Sequence, residues 1–361
     1  MRDGKLVPIF LGILVFIAIG FVLHILQPIL LPFVVAVFLS RIFGPLNMAL
    51  RRRRVPAALS ILLVLVVASI VLLIFAWGVY SSGQSFTAAL PRYQTRSKEL
   101  VTGFLGWLTA AFPPLQAQMR QWNWQEMLKL SSLTGLAAAT VGSFLLFFND
   151  AFLVLLFLIF LLAGSEQFPQ KLRRALHAER AERVSAMMHN IEAGVRRYIL
   201  TKTLFNLVTG ALVTVLLAAF GVDFPLLWGL ITFLAHYIPS VGAVISVGLP
   251  TIFLFLQFSP GTALLIALLN GALQFVMGNA VEPRIMGSSL DLSPLLVLTA
   301  LLFWGYLWGP WGMILSVPIT SSIKIICENI APLHPIAVLM SGSLEPPKRP
   351  VAAVKAGETL A

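Results

Sequence analysis

Long apolar runs with brief polar punctuation set the pattern of this chain. From Val7 to Ser40 no side chain is charged at neutral pH. A straight helix of that length would reach about 51 Å, far beyond a hydrocarbon core of roughly 30 Å. Gln27-Pro28 is the natural break, so the run predicts two antiparallel helices joined by a tight turn. The second continues past Arg41, whose long side chain can snorkel to the interface. Arg51-Arg52-Arg53-Arg54 closes this hairpin. Four adjacent arginines resist translocation and anchor one side of the membrane, with anionic-lipid binding as their alternative role. A third span is predicted from Pro56 to Tyr80, a fourth from Phe144 to Gly164 and a fifth from Leu204 to Phe220.

Two less hydrophobic stretches separate these spans. Residues 81–140 mix Arg92, Arg96, Lys98, Glu99, Arg120, Glu126 and Lys129 with Trp107, Trp122 and Trp124. They predict two or three amphipathic helices lying on the outer membrane face, with tryptophans at headgroup depth. Residues 166–202 carry eight Lys or Arg from Lys171 to Lys202, against Val184, Met187, Met188, Ile191, Val195, Tyr198 and Ile199 at helical spacing. That is a basic amphipathic helix for the cytoplasmic face.

The last third has segments of awkward length. Pro225 to Gln257 and Ser293 to Ile330 are each too long for one span and too short for two. The first is interrupted at Ile238-Pro239-Ser240-Val241-Gly242 and the second at Trp308-Gly309-Pro310-Trp311-Gly312, with a helix from Thr262 to Val281 between them. Paired Gly and Pro interruptions point to discontinuous helices around a transport site. Non-helical backbone at that depth must be buried in protein or line water, because lipid cannot satisfy it.

Composition agrees with lipid as the solvent. Hydrophobic residues make up 58% of the chain and charged residues 11%, with mean hydropathy +0.92; a soluble domain has roughly a quarter of its residues charged. The net charge of +11 is assigned to loops held on the cytoplasmic side rather than to nucleic acid, which is not an expected partner. Basic segments near Arg2, Arg51, Lys171 to Lys202 and Lys348 predict cytoplasmic N- and C-termini and about eight crossings. The run from Val7 lacks a clear cleavage site and reads as a retained first span. The single Cys327 excludes an intramolecular disulfide framework and any multi-cysteine metal site within one chain.

The predicted fold is therefore all-α, a polytopic transmembrane bundle with interrupted or re-entrant helices in its C-terminal half. Residues 1–80 form N-terminal spans, 81–140 the outer segment, 141–345 the transmembrane core, and 346–361 a disordered cytoplasmic tail. Membrane lipids are the surroundings, and self-association into a homo-oligomer stays open.

Charge is scarce where it would be informative. Between Thr203 and Leu344 the charged residues are Asp223, Glu282, Arg284, Asp291, Lys324 and Glu328. Intramembrane ionisable groups are costly and usually kept for pairing or for a pathway. Pro283 disfavours helical geometry at Glu282, so the preceding helix should end near Val281. Glu282 and Arg284, two apart, need not pair with each other. Asn206, His236 and Asn279 are candidate partners, and a structural ion-pair lock stands beside a pathway role. Lys324 and Glu328, four apart, read as a surface pair, and Asp223 as a turn residue. Zinc-helix, nucleophile-elbow and phosphate-loop motifs are absent, so no enzyme activity, cofactor or metal is expected.

Several blocks resemble the autoinducer-2 exporter family of bacterial membrane proteins. They are Phe233 to Gly242, Gly278 to Gly287 with its Glu-Pro-Arg-Ile-Met-Gly core, Leu292 to Leu295, and Trp304 to Pro318. The resemblance runs from the N-terminal hairpin to about Glu328, with His236 standing where the family more often has Asn. It implies a secondary transporter in the bacterial cytoplasmic membrane. One implied activity is export of a small polar signalling molecule of the autoinducer-2 type, and the alternative is sodium- or lithium-for-proton antiport. A non-transporting structural protein is the competing class. A neutral solute would need hydrogen bonds from groups such as Asn206, Asn270, Gln274 and Asn279; cation coupling would need a carboxylate, for which Glu282 is the candidate. Arg284, His236, Pro239 and Gly242, with Gly309, Pro310 and Gly312 of the second interruption, complete the candidate set.

Overall fold

Pro28 has no N–H to donate, and the first apolar run breaks next to it. A computed structural model describes residues 6–111, 150–164, 167–239, 241–286 and 291–342. In it α1 (Leu6–Ile25) and α2 (Gln27–Arg52) are separated by Leu26 alone, at φ −81° and ψ 3°. The Leu26 N–H still bonds Val22 O at 2.9 Å, and the Leu30 N–H bonds Leu26 O at 2.8 Å. The junction is thus a bend, not the antiparallel turn expected, because losing one helical hydrogen bond does not reverse a chain whose neighbouring bonds persist.

The third span does not stop at Tyr80. α3 (Ala57–Ala111) is one helix of 55 residues, about 82 Å long. Neither Ser81-Ser82-Gly83 nor Pro91 stops it, and the extension is held by packing rather than by a membrane face. Tyr93 is buried with its ring 4.6 Å from that of Phe253, and its hydroxyl donates to the Asp223 carboxylate. Burial, then that hydrogen bond, pushes the Tyr93 phenol above its ordinary range. Asp223 sits, as expected, in a turn, between Gly221 at φ 68° and Phe224 at φ 57°. The rest of the predicted outer segment, 112–140 with Trp122 and Trp124, lies outside the described residues, as does the tail 346–361.

α4 (Asp150–Gly164) contributes Val154, Leu158 and Leu162 to a core shared with Ala36 of α2 and with Val64 and Ala68 of α3. α5 (Gln167–Ala175) leads into α6 (Ala178–Ala219), whose 42 residues merge the predicted basic helix with the fifth span. Its stripe explains the merger: Val195, Tyr198 and Ile199 are buried against Val317, with Phe38 and Ile42 of α2 packed alongside.

Two helical hairpins follow. α7 (Pro225–Ala235) and α8 (Val241–Gln257) make the first, and a Cβ added at Gly242 would stand 2.6 Å from the Ala235 carbonyl carbon. α6 and α7 also touch at backbone distance: a Cβ on Gly229 would stand 2.7 Å from Gly210 O. α9 (Pro260–Val276) starts at a Ser259 cap and runs through a π-helical turn, Met277–Val281, into α10 (Glu282–Met286). The helix therefore does not end at Val281. The widened turn bonds the Glu282 N–H to Met277 O and leaves the donor-less Pro283 at the start of α10, where no partner is needed.

α11 (Pro294–Asn329) contains the second hairpin, broken at Trp308 and Gly309, the latter at φ 61° and ψ −145°. The chain doubles back there, since a Cβ on Gly312 would stand 2.6 Å from the Trp304 carbonyl carbon. α12 (His334–Met340) closes the described chain. Lys324 is not a surface residue. It is 4% exposed and donates to Asp291 O at 2.6 Å and Asp291 Oδ2 at 2.8 Å, with Glu328 at 3.4 Å. The loop before α11 and the turn after α12 converge on it, through Ser341 and the bridge Leu292–Ser341.

Among the described residues five stretches are long and apolar enough to cross a membrane: Gln27–Arg52, Ala57–Phe86, Arg180–Ala219, Pro260–Met286 and Pro294–Asn329. Four shorter apolar helices accompany them. Large apolar side chains such as Phe160, Leu204, Ile252 and Leu268 point outward. Outward apolar faces around a core holding buried Asn, Gln and Lys are the arrangement lipid requires. The fold is a helical membrane bundle.

Candidate functional site

The tip of the α7–α8 hairpin, the π turn and the middle of α6 meet around one cavity of about 680 Å³. The tip satisfies its own backbone: the Ile238 N–H bonds Ala235 O at 2.8 Å and the Gly242 N–H bonds Ile238 O at 2.9 Å. That frees His236 and Pro239 to face the cavity, while Tyr237 is tied off by donating to Thr203 Oγ1 at 2.7 Å. α9 adds Gly271, Gln274 and Phe275, the π turn adds Gly278 and Asn279, and α10 adds Glu282.

Glu282 pairs with Lys202, whose ammonium donates to Glu282 Oε1. None of the three partners suggested by sequence holds it. The Lys202 side chain is 5% exposed and that of Glu282 27%, and the ammonium also lies 5.5 Å from the Phe205 ring centroid, a cation–π distance. These two are the only charged side chains among the cavity's described lining residues, and their charges cancel.

Behind the cavity runs a seam of buried, uncharged polar groups. His236 Nδ1 lies 2.9 Å from Thr232 O and 3.3 Å from Ser246 Oγ. Asn270, fully buried, donates to Ser246 O at 3.0 Å and leaves its Oδ1 unpartnered. Asn206, also fully buried and one turn from Lys202, has no partner for either amide atom. Gln274 approaches the His236 ring, yet neither its Nε2 nor its Oε1 reaches hydrogen-bonding geometry. A buried polar group left unpaired costs about 1–3 kcal/mol, so such atoms at this depth call for water or a solute.

The other predicted residues fall elsewhere. Asn279 lines the cavity but spends its amide on Phe275 O at 3.0 Å. Arg284 is exposed, does not line the cavity, and makes no ion pair among the described residues. Gly309, Pro310 and Gly312 are also away from the lining. Their hairpin is held against α1, with Trp308 Nε1 donating to Leu23 O at 3.1 Å and His24 Nδ1 3.0 Å from Leu307 O. Among the described residues no group of three or more His, Cys, Asp or Glu is placed to hold a metal ion. A second depression of about 440 Å³, lined by Arg92, Arg96, Glu99 and Gln257, shares no residue with this site.

Lys202 is the site residue that sequence reasoning missed. It lay in a charge-rich helix and passed for a solvated cation. Its signal was the stripe itself: Val195, Tyr198, Lys202, Asn206, Thr209 and Val213 share one face of α6, and all are buried. Continuing the apolar stripe by one turn lands on Lys202.

Residues 11–331 match the family described as AI-2E family transporter. The chain is 35% identical over 342 residues to the AI-2 transport protein TqsA of Escherichia coli strain K12, covering 94% of this chain and 96% of that one. It is 31% identical to a putative transport protein of Haemophilus influenzae, over 88% of this chain and 92% of its relative. It is likewise 31% identical to the putative transport protein YhhT of Escherichia coli strain K12, over 94% and 95%. With the match spanning nearly all of the described bundle, including the hairpin tip, the π turn and the Lys202–Glu282 pair, the chain belongs to the AI-2E transporter family and is a membrane transporter, not an enzyme.

Proposed function

We propose that this transporter exports a small neutral polar solute of the autoinducer-2 type, held in the cavity between the hairpin tip and the Lys202–Glu282 pair. The observation that carries the reading is a charge-balanced cavity lined by an amide with unused hydrogen-bonding capacity, that of Gln274. A hydroxyl-rich neutral molecule both donates and accepts, which is what free amides ask for. The name of the Escherichia coli relative, an AI-2 transport protein, supports the same class. Sodium-for-proton exchange fits less well, because Glu282, the carboxylate it needs, already has Lys202 as its counterion. The reading places the chain in the bacterial cytoplasmic membrane, with the Arg51–Arg54 cluster and the basic stretch from Lys171 to Lys202 on its cytoplasmic side.

The test is flux in proteoliposomes. Wild-type protein should move autoinducer-2 and respond to an imposed proton or sodium gradient. Gln274→Leu should slow that flux about tenfold, the loss of one hydrogen bond to the solute. The variant should stay folded, since an apolar side chain of similar size removes an unpaired polar group. Cation-driven proton movement without solute flux would replace this reading with antiport. Wild-type flux in Gln274→Leu would move the solute path elsewhere.

A further inference from the structure

We propose that Lys202 is a specificity-determining residue: its buried ammonium keeps cations out of the cavity by cancelling Glu282. The inference rests on the reading of this cavity as the solute site. A carboxylate facing a low-dielectric cavity attracts any small cation, since charges at contact distance interact far more strongly there than in water. Glu282 does not stand alone. Lys202, on the facing helix α6, donates directly to it, and the lysine is held in place by near-complete burial and by the Phe205 ring under its ammonium. A sodium ion entering the cavity therefore meets a fixed positive charge and a carboxylate already taken. An anion meets the mirror image. A neutral solute meets no net charge and finds the polar atoms of His236 and Gln274 on the same wall.

A lysine serving only as a structural brace would make a different forecast, because its removal would change stability and leave ion selectivity alone. The choice between neutral-solute transport and cation transport in this architecture thus hangs on residue 202. Gln274 offers an independent check. It lines the same cavity, is 4% exposed, and has no partner for either amide atom. Gln274→Glu places a near-isosteric carboxylate without a counterion there while leaving the Lys202–Glu282 pair intact.

The experiment compares wild type, Lys202→Arg, Lys202→Gln and Gln274→Glu in proteoliposomes. Uptake of radiolabelled sodium is driven by an inside-negative potential at mildly alkaline pH, autoinducer-2 flux is measured in parallel, and thermal melting reports folding. Wild type and Lys202→Arg should pass no more sodium than protein-free vesicles. Lys202→Gln and Gln274→Glu should each raise sodium uptake by about tenfold or more, because an uncompensated carboxylate now faces the cavity. Sodium uptake by wild type, or a folded Lys202→Gln that carries solute but no sodium, would overturn the proposal. If Lys202→Gln does not fold, Gln274→Glu decides alone: sodium uptake supports the proposal and its absence refutes it. Missing autoinducer-2 flux in wild type would instead sink the proposed substrate, a separate arm of the same assay.

Discussion

Gly242→Ala is the sharpest single perturbation of the hairpin that shapes the cavity. The added Cβ would stand 2.6 Å from the Ala235 carbonyl carbon and 2.9 Å from His236 Cα. Carbon atoms prefer about 3.5–4.0 Å, so α7 and α8 must separate by about 1 Å. Both obstacles are backbone, and neither can rotate aside. Overpacking of this kind costs about 1–3 kcal/mol, and straining the 2.9 Å bond from Gly242 N–H to Ile238 O adds about 1 kcal/mol. The higher helix propensity of Ala returns up to about 1 kcal/mol, so the net loss should be about 1–3 kcal/mol. The control is Gly261→Ala in α9, where a Cβ meets nothing within 4 Å and stability should hold or rise slightly. Thermal unfolding of the purified variants measures the difference, and solute efflux measures its consequence. Since His236 and Pro239 of the same tip line the cavity, flux should fall about tenfold for each solute hydrogen bond misplaced. Equal melting temperatures for the two variants would show that the tip is not closed on Gly242, and the reasoning would fail.

Gly309→Ala forces a Cβ into φ 61°, ψ −145°, a conformation almost exclusive to Gly, and should cost about 1–3 kcal/mol in a melting experiment; an unchanged melt would refute the backbone assignment at the second hairpin. Lys324→Met removes the shared partner of Asp291, Glu328 and Ser341. It should cost about 3 kcal/mol, the lower end for a broken buried pair, because the Asp291 side chain is 34% exposed. Limited proteolysis should then release α12 early, and wild-type resistance would contradict the tie. In a Cys327→Ser background, Gly103→Cys on the α3 extension should react with an impermeant thiol reagent added outside cells with a permeabilised outer barrier. Arg52→Cys and Glu182→Cys should not, and labelling at residue 182 would invert the proposed orientation.

Much of the fold was legible along the chain because lipid imposes a one-dimensional rule. Where the solvent offers no hydrogen bonds, every spanning segment must be helical and apolar, so the bundle could be read from run lengths alone. The two interruptions were legible for a related reason. Pro239 and Gly242 in one, and Gly309, Pro310 and Gly312 in the other, impose local limits on backbone geometry that act whatever the surroundings. The resemblance to the AI-2E family rested on these two interruptions together with Gly278 to Gly287 and Leu292 to Leu295, and the family match over residues 11–331 agrees with it.

Tertiary packing decided the rest. α3 runs past Tyr80 because Tyr93 finds Asp223, 130 positions away in sequence. α6 does not end at the membrane face because its stripe meets Val317. The partner of Glu282 was the clearest gap, since Lys202 stands 80 positions away on another helix among residues that look solvated one at a time. Lys324, expected at the surface, is buried because two distant turns close over it. Local rules fix helices and their breaks through steric limits and hydrogen bonds that span a few residues. Which charge is buried, and against what, depends on distances between helices, and those are set only when the whole bundle has packed.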